Sequence, residues 1–129
     1  KYKIHKTLPK VAPGKWLKLY GDNDNRKITY LTTGAVISHV QKIFSIKNKY
    51  SIHSLPIWGM KAKKKQFNYI KKYKKIIAVE DHFEDGGFQS WLNESTNNKE
   101  CKTKILSKSI NPSVIDKVGS QEFLMKYLK

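Results

Sequence analysis

The spacing of apolar positions changes several times along the chain, and the changes outline alternating strands and helices. Trp16, Leu17, Leu19 and Tyr20 mark a first strand. Gly21-Asp22-Asn23-Asp24-Asn25 follows with strong turn chemistry, because Gly, Asn and Asp tolerate tight backbone conformations. A hairpin onto residues 27–33 (KITYLTT), a β-branched and aromatic run, is therefore expected. Gly34 breaks that run, and Val36, Val40, Ile43 and Phe44 then fall on one face of a predicted helix. Residues 50–58 (YSIHSLPIW) predict a second central strand, closed by Pro56 and Gly59.

Residues 61–75 carry eight lysines in fifteen positions. At 100° per residue Lys61, Lys64, Lys65, Lys71 and Lys72 gather on one side, with Ala62, Tyr69, Ile70 and Tyr73 on the other, the pattern of an amphipathic crossover helix. Its lysine side reads first as a solvated exterior. Lys75–Val79 (KIIAV) has the continuous apolar run of a strand buried on both faces. An acidic loop follows, and Phe88, Trp91 and Leu92 recur at helical spacing. Residues 102–110 predict a further strand stopped by Asn111-Pro112, and Phe123, Leu124, Tyr127 and Leu128 a closing helix. Strand and helix in alternation after an opening hairpin argue an α/β sheet sandwiched by helices, parallel in its centre with an antiparallel edge.

At 129 residues the chain is the size of one domain, so residues 1–129 are read as a single unit. The opening KYKIHKTLPK has neither an initiator methionine nor the order of a signal peptide. Residues 1–15 are expected to be an extended lead-in continuing from upstream domains. No apolar run exceeds Ile76-Ile77-Ala78-Val79, which predicts no membrane span. The single cysteine, Cys101, offers no internal disulfide and no thiolate zinc site, and a reducing, cytoplasmic location is expected. The net charge of +16 raises the class of polyanion binders. Against it, only Arg26 of the 26 basic residues is arginine, whereas phosphate and base readers lean on its bidentate fork.

The chain has no GxxxxGK[ST], GxGxxG, HExxH or GxSxG motif. His5, His39 and His53 lack ligand spacing, read as surface or partly buried polar residues, and no metal site is expected. The one concentration of chemistry is Glu80-Asp81-His82-Phe83-Glu84-Asp85-Gly86-Gly87, placed where a central strand gives way to a helix. Open α/β sheets put binding crevices there. Glu80 or His82 could serve as general acid or base. Equally, Glu84 and Asp85 suit the positive end of the following helix, and Gly86-Gly87 permits a tight turn or a close approach.

Ile77-Ala78-Val79-Glu80-Asp81-His82, followed after three residues by Gly86-Gly87-Phe88 and then Ser90, resembles the V-x-V-E-[DE]-H-x-x-x-GG-[FL]-G-S signature of the transketolase C-terminal domain family. That family spans transketolases, deoxyxylulose phosphate synthases and 2-oxoacid dehydrogenase beta subunits. Residues 27–34 (KITYLTTG) are similar to its D-[IV]-T-[IL]-[IV]-x-x-G strand and turn, and Val118-Gly119-Ser120 with Leu124 to its G-[ST]-x-x-x-L close. The resemblance implies a three-layer α/β/α sandwich on a mixed five-stranded sheet with one antiparallel edge strand. It implies a thiamine-diphosphate enzyme, with a divalent metal, whose cofactor is held by preceding pyrimidine- and pyrophosphate-binding domains across a dimer interface. On that reading this chain binds no cofactor, carries no catalytic residue, and presents Glu80, Asp81, His82, Gly86 and Gly87 as motif positions. Its role would be to support the dimer and border the substrate approach, with the upstream domains on the same chain or a partner subunit. Gln89 departs from the family's usual glycine, and Trp91 from its usual small residue, so either the helix is displaced or the tryptophan fills a different pocket. Leu55-Pro56-Ile57-Trp58-Gly59 departs from K-P-[FLI]-[DP]. Two other classes compete: a stand-alone basic module binding nucleic acid or another polyanion, the less expected partner, and a small enzyme that uses Glu80 and His82 in one pocket.

Overall fold

The computed structural model describes residues 9–21, 28–44, 50–97 and 99–127. Five strands form one sheet: β1 (Leu17–Tyr20), β2 (Ile28–Thr32), β3 (Ser51–Ser54), β4 (Lys75–Val79) and β5 (Lys104–Lys108), in the order β1-β3-β2-β4-β5. Only β1 runs antiparallel, against β3 at one edge, and β3-β2-β4-β5 are parallel. The mixed sheet with an antiparallel edge is the expected one.

The expected hairpin is not formed. β1 pairs with β3, and β2 lies between β3 and β4. Burial explains the sorting. β2 is buried at Thr29, Tyr30, Leu31 and Thr32 and needs neighbours on both sides. β1 alternates half-buried Leu17 and Leu19 with exposed Lys18 and Tyr20, which suits a rim. Turn chemistry after Gly21 reverses the chain without saying which strand receives it, and residues 22–27 lie outside the described residues.

Helices cover both faces. Gly34–Val36 is a 3-10 turn that runs into α1 (Ile37–Phe44), and Met60–Lys65 is a 3-10 stretch that runs into α2 (Gln66–Ile70). The predicted helix over 61–75 is thus tighter in its first half and ends sooner, although Ala62 and Ile70 face inward and Lys61, Lys64, Lys65, Lys71 and Lys72 outward as the spacing predicts. α3 is Phe88–Glu94, and α4 (Gln121–Leu124) ends in a 3-10 turn, Met125–Tyr127. The side chains of Ile43 and Phe44, and Leu128, lie outside the described residues. β3 and β5 are shorter than the runs 50–58 and 102–110, because Pro56 and the ends of the α3–β5 connection leave the ladder.

Successive side chains of β4 divide the core in two, as alternation across a strand requires. Ile76 and Ala78 join Leu31, Ala62, Ile70, Phe88, Trp91 and Leu92 under α2 and α3. Val79 joins Tyr30, Ile52, Val36 and Val40 under α1. Large aliphatics this deeply buried contribute about 1.5–3 kcal/mol each. Trp91, the residue the family pattern left unplaced, lies in the first cluster with its ring against Trp58 (5.5 Å between centroids) and Phe88 (6.1 Å).

Buried Gln66 fastens the lead-in to this body. Its Oε1 accepts from Trp16 Nε1 (2.7 Å), and its Nε2 donates to the carbonyls of Gly14 (3.1 Å) and Ala62 (3.0 Å). Gly14 donates its N–H to Ile57 O (2.8 Å) with φ of 73°, and a Cβ there would come within 3.0 Å of Ala62 Cβ, so both conformation and space call for glycine. His53 is buried as well, contrary to its reading as a surface or partly buried residue. Trp16 (5.8 Å) and Tyr73 (5.8 Å) pack on its ring, and Nδ1 lies 2.9 Å from Thr29 Oγ1. Burial first, and Lys18 second, lower its pKa from 6.5 to about 4.

Candidate functional site at the carboxyl end of the sheet

The chain leaves β2 toward β3 on one side and leaves β4 toward β5 on the other, so the order of strands reverses between β2 and β4. Open α/β sheets form their crevice at the carboxyl ends of such a pair. Thr32 and Val79 are register partners there, and the loops leaving them carry Thr33-Gly34 and Glu80-Asp81-His82. The acidic segment therefore stands at the switch point, where its sequence position put it.

Glu80 is fully buried, and its carboxylate turns inward onto the start of α3. Oε2 accepts from Phe88 N (2.5 Å), Oε1 from Gln89 N (3.2 Å), and Ser107 Oγ lies 3.4 Å from Oε1. The first backbone N–H groups of a helix have no partner within it, and this carboxylate supplies one for two of them. Burial raises the Glu80 pKa above 4.5, while the two backbone donors, His82 and Ser107 pull it down. Backbone pairing past the strand ends holds the loop base: Glu80 N donates to Lys108 O (3.1 Å) and Ile110 N to His82 O (3.0 Å).

His82 faces the other way. Its side chain is 62% exposed, and Nδ1 lies 3.2 Å from Asp81 Oδ1. The structure thus does not bring Glu80 and His82 into one concave pocket: one carboxylate faces protein, one imidazole faces solvent. Glu84 and Asp85 are exposed too, and the Glu84 carbonyl, rather than its carboxylate, meets α3 by accepting from Ser90 Oγ (2.9 Å) and Gly87 N (3.3 Å).

The two glycines have different reasons. Gly86 takes φ of 71° in open space, a conformational need. Gly87 has φ of −82°, open to any residue, but a Cβ on it would run into the Glu80 carboxylate and lie 2.6 Å from Phe83 O. The Glu80–Gly87 pair is therefore one packing device: the missing Cβ is where the carboxylate passes to reach Phe88 N.

Two further features at this end were not singled out by the sequence. Thr32 Oγ1 is buried with no hydrogen-bond partner among the described residues. Beside β1, Leu17, Leu19, Gly34 and Ser54 contribute to the lining of a cavity of about 290 Å³ that is mostly apolar. No cluster of three or more His, Cys, Asp or Glu able to hold a metal occurs among the described residues, and none of their helices is long and apolar enough to cross a membrane. Cys101 is half-buried and packs against the larger core cluster.

In a comparison with solved structures the chain matches a split-gene transketolase described as an inactive β4 tetramer, with a TM-score of 0.69 and 15% identity. The match covers 98% of this chain and 41% of that one, so the chain spans less than half the length of the structure it resembles. At this identity the likeness is one of fold, and the fold is that of a transketolase C-terminal-like domain. No family model and no curated protein matches the chain.

Proposed function

We propose that this chain is the C-terminal, non-catalytic domain of a thiamine-diphosphate-dependent transketolase-like enzyme, one that supports assembly of the dimer and borders the approach to the substrate. The observation that carries the reading is the fold likeness over 98% of the chain to part of a transketolase chain, joined to the glutamate-histidine-glycine segment at the strand-to-helix junction after β4. The description of that relative as an inactive tetramer of beta chains suits a subunit that assembles but needs another chain to work. Val118 (99% exposed), Met60 (78%) and Ile115 (75%) are apolar side chains left in solvent that contact with other domains would cover.

Thiamine diphosphate and its divalent metal do not fit the residues described here. Glu80 is committed to α3, and the described acidic and histidine side chains form no cluster of three. Other domains would have to hold both. What this chain's residues contribute is position: Glu80 and Gly87 fix the start of α3, and that leaves Asp81, His82 and Phe83 displayed at the carboxyl edge, where a substrate channel would pass. The setting is cytoplasmic in this reading.

Reconstitution tests it. The chain is mixed with the polypeptide from the same genome that carries the pyrimidine- and pyrophosphate-binding domains, and ketol transfer is followed with the cofactor present. Transfer that requires both polypeptides, with His82→Ala altering KM or kcat while leaving the melting temperature in place, is expected. A partner polypeptide that is fully active without this chain would sink the proposal.

A further inference from the structure

Two stretches far apart in sequence bring their lysines to one end of the sheet, opposite to the acidic loop. Thr103 Oγ1 donates to the carbonyls of Ile70 (3.0 Å) and Tyr73 (2.7 Å), and Lys104 N donates to Lys74 O (2.9 Å). These bonds fasten the α3–β5 connection to the α2–β4 connection where β4 and β5 begin. Lys71, Lys72, Lys74, Lys99, Lys102 and Lys104 are all exposed there. Helical spacing over residues 61–75 grouped only the first two of these, on the outer face of a helix; it did not show that residues 99–104 join them.

This end is poorly neutralised by the segments that form it. No acidic residue occurs between Asp24 and Glu80, and residues 99–108 supply only Glu100. Lys75 and Lys104 are register partners across β4 and β5, and like charges directly opposite weaken a strand pair. A bound polyanion would relieve that repulsion. The neighbouring rings are already engaged: Lys71 Nζ (5.6 Å) and Lys99 Nζ (4.8 Å) lie over Phe67, and Lys72 Nζ (5.5 Å) over Tyr69. Ammonium groups resting on both rings hold charge in place and cover the faces on which unpaired bases would stack.

We propose that this lysine-rich end docks the phosphate backbone of duplex nucleic acid without reading its bases. Duplex backbone presents one charge per about 1.7 Å of axis, a denser and more regular array than an acidic protein surface offers to six lysines. The scarcity of arginine that counts against a base reader removes bidentate contact, but lysine still neutralises phosphate as a point charge, so what remains is backbone docking without base readout. This surface is separate from the carboxyl-end loop and does not depend on the assembly role proposed above.

The test is fluorescence anisotropy of the 129-residue chain with 20-base-pair DNA and RNA duplexes at 50 and 200 mM salt. With about four phosphates neutralised, affinity is expected to fall roughly 10²-fold between the two salts, and two unrelated sequences should bind alike. Lys102→Glu with Lys104→Glu should weaken binding at least tenfold at 50 mM and flatten the salt slope by about two. Lys102→Gln with Lys104→Gln should weaken it less but visibly, with a melting temperature no lower than that of the wild type, since Lys104 no longer opposes Lys75. Lys117→Glu with Lys126→Glu alters net charge equally beyond the carboxyl end of β5, away from the patch, and should leave affinity within about twofold if docking is local. Equal loss in that control, tighter binding of single strands, or equal competition by polyglutamate of the same charge would each overturn the proposal.

Discussion

Replacing Glu80 by alanine separates a brace from a bystander. The wild-type carboxylate accepts from Phe88 N and Gln89 N with no access to solvent. Hydrogen bonds to a charged group contribute about 1.5–3 kcal/mol each, and a buried donor left without a partner costs about 1–3 kcal/mol. Against this, alanine relieves the burial of a carboxylate, the very effect that raises its pKa. A net loss of about 2–4 kcal/mol is expected, which for a chain of this size lowers the melting temperature by roughly 3–5 °C per kcal/mol. The pH dependence has a definite sign. A carboxyl whose folded pKa is raised contributes stability that is fully present below its unfolded value of 4.5 and is lost as pH rises through the folded value. The deficit of Glu80→Ala should therefore be larger near pH 4 than at pH 7. Urea unfolding at both pH values, followed by tryptophan fluorescence and far-ultraviolet circular dichroism, measures it. A deficit below about 0.5 kcal/mol at both would refute the role of Glu80 as the partner of α3's first N–H groups.

Three other residues test the packing beside it and elsewhere in the fold. His53 has a folded pKa of about 4 against 6.5 unfolded, so the unfolded chain binds more protons between those values; stability should rise across that window by about 3 kcal/mol, and His53→Phe should remove the rise in a pH series of unfolding curves. Gly87→Ala should cost about 1–3 kcal/mol through collision with Glu80 and Phe83, and the double variant with Glu80→Ala should cost clearly less than the sum. Gln66→Leu leaves Trp16 Nε1 and Gly14 O without their partner and should lower stability by about 2–4 kcal/mol, with faster amide exchange at Gly14; no change in either would mean the lead-in is held by other contacts.

The parts of the fold legible in sequence are those where one local rule decides. KIIAV is a strand at its expected bounds, because a short, β-branched apolar run suits the buried middle of a parallel sheet and is too short for a buried helix. Phe88, Trp91 and Leu92 share a helix face and are buried as their spacing requires. Strand order was not legible: turn residues after β1 announce a reversal, but pairing is settled by which strand must be buried on both edges. Likewise the contrast of acidic residues against lysine marked the carboxyl-end loop without showing that Glu80 faces in and His82 out, since strand alternation stops where the strand does. His53 looked like a lone polar residue because its partners, Trp16, Thr29 and Tyr73, come from three separate segments. Gln66 could have been found: it lies midway between Ala62 and Ile70 at steps of four on the apolar face, and a polar residue there calls for a buried partner.

The claim that this is an assembling domain of a larger enzyme is tested most directly by sedimentation velocity of the 15.0 kDa chain, alone and with the polypeptide bearing the thiamine-diphosphate-binding domains. A new, faster boundary containing both polypeptides in fixed ratio is expected, and it should weaken when Val118 and Ile115, the most exposed of the described apolar residues beyond β5, are changed to aspartate. Two boundaries that sediment in the mixture as they do apart would contradict the account.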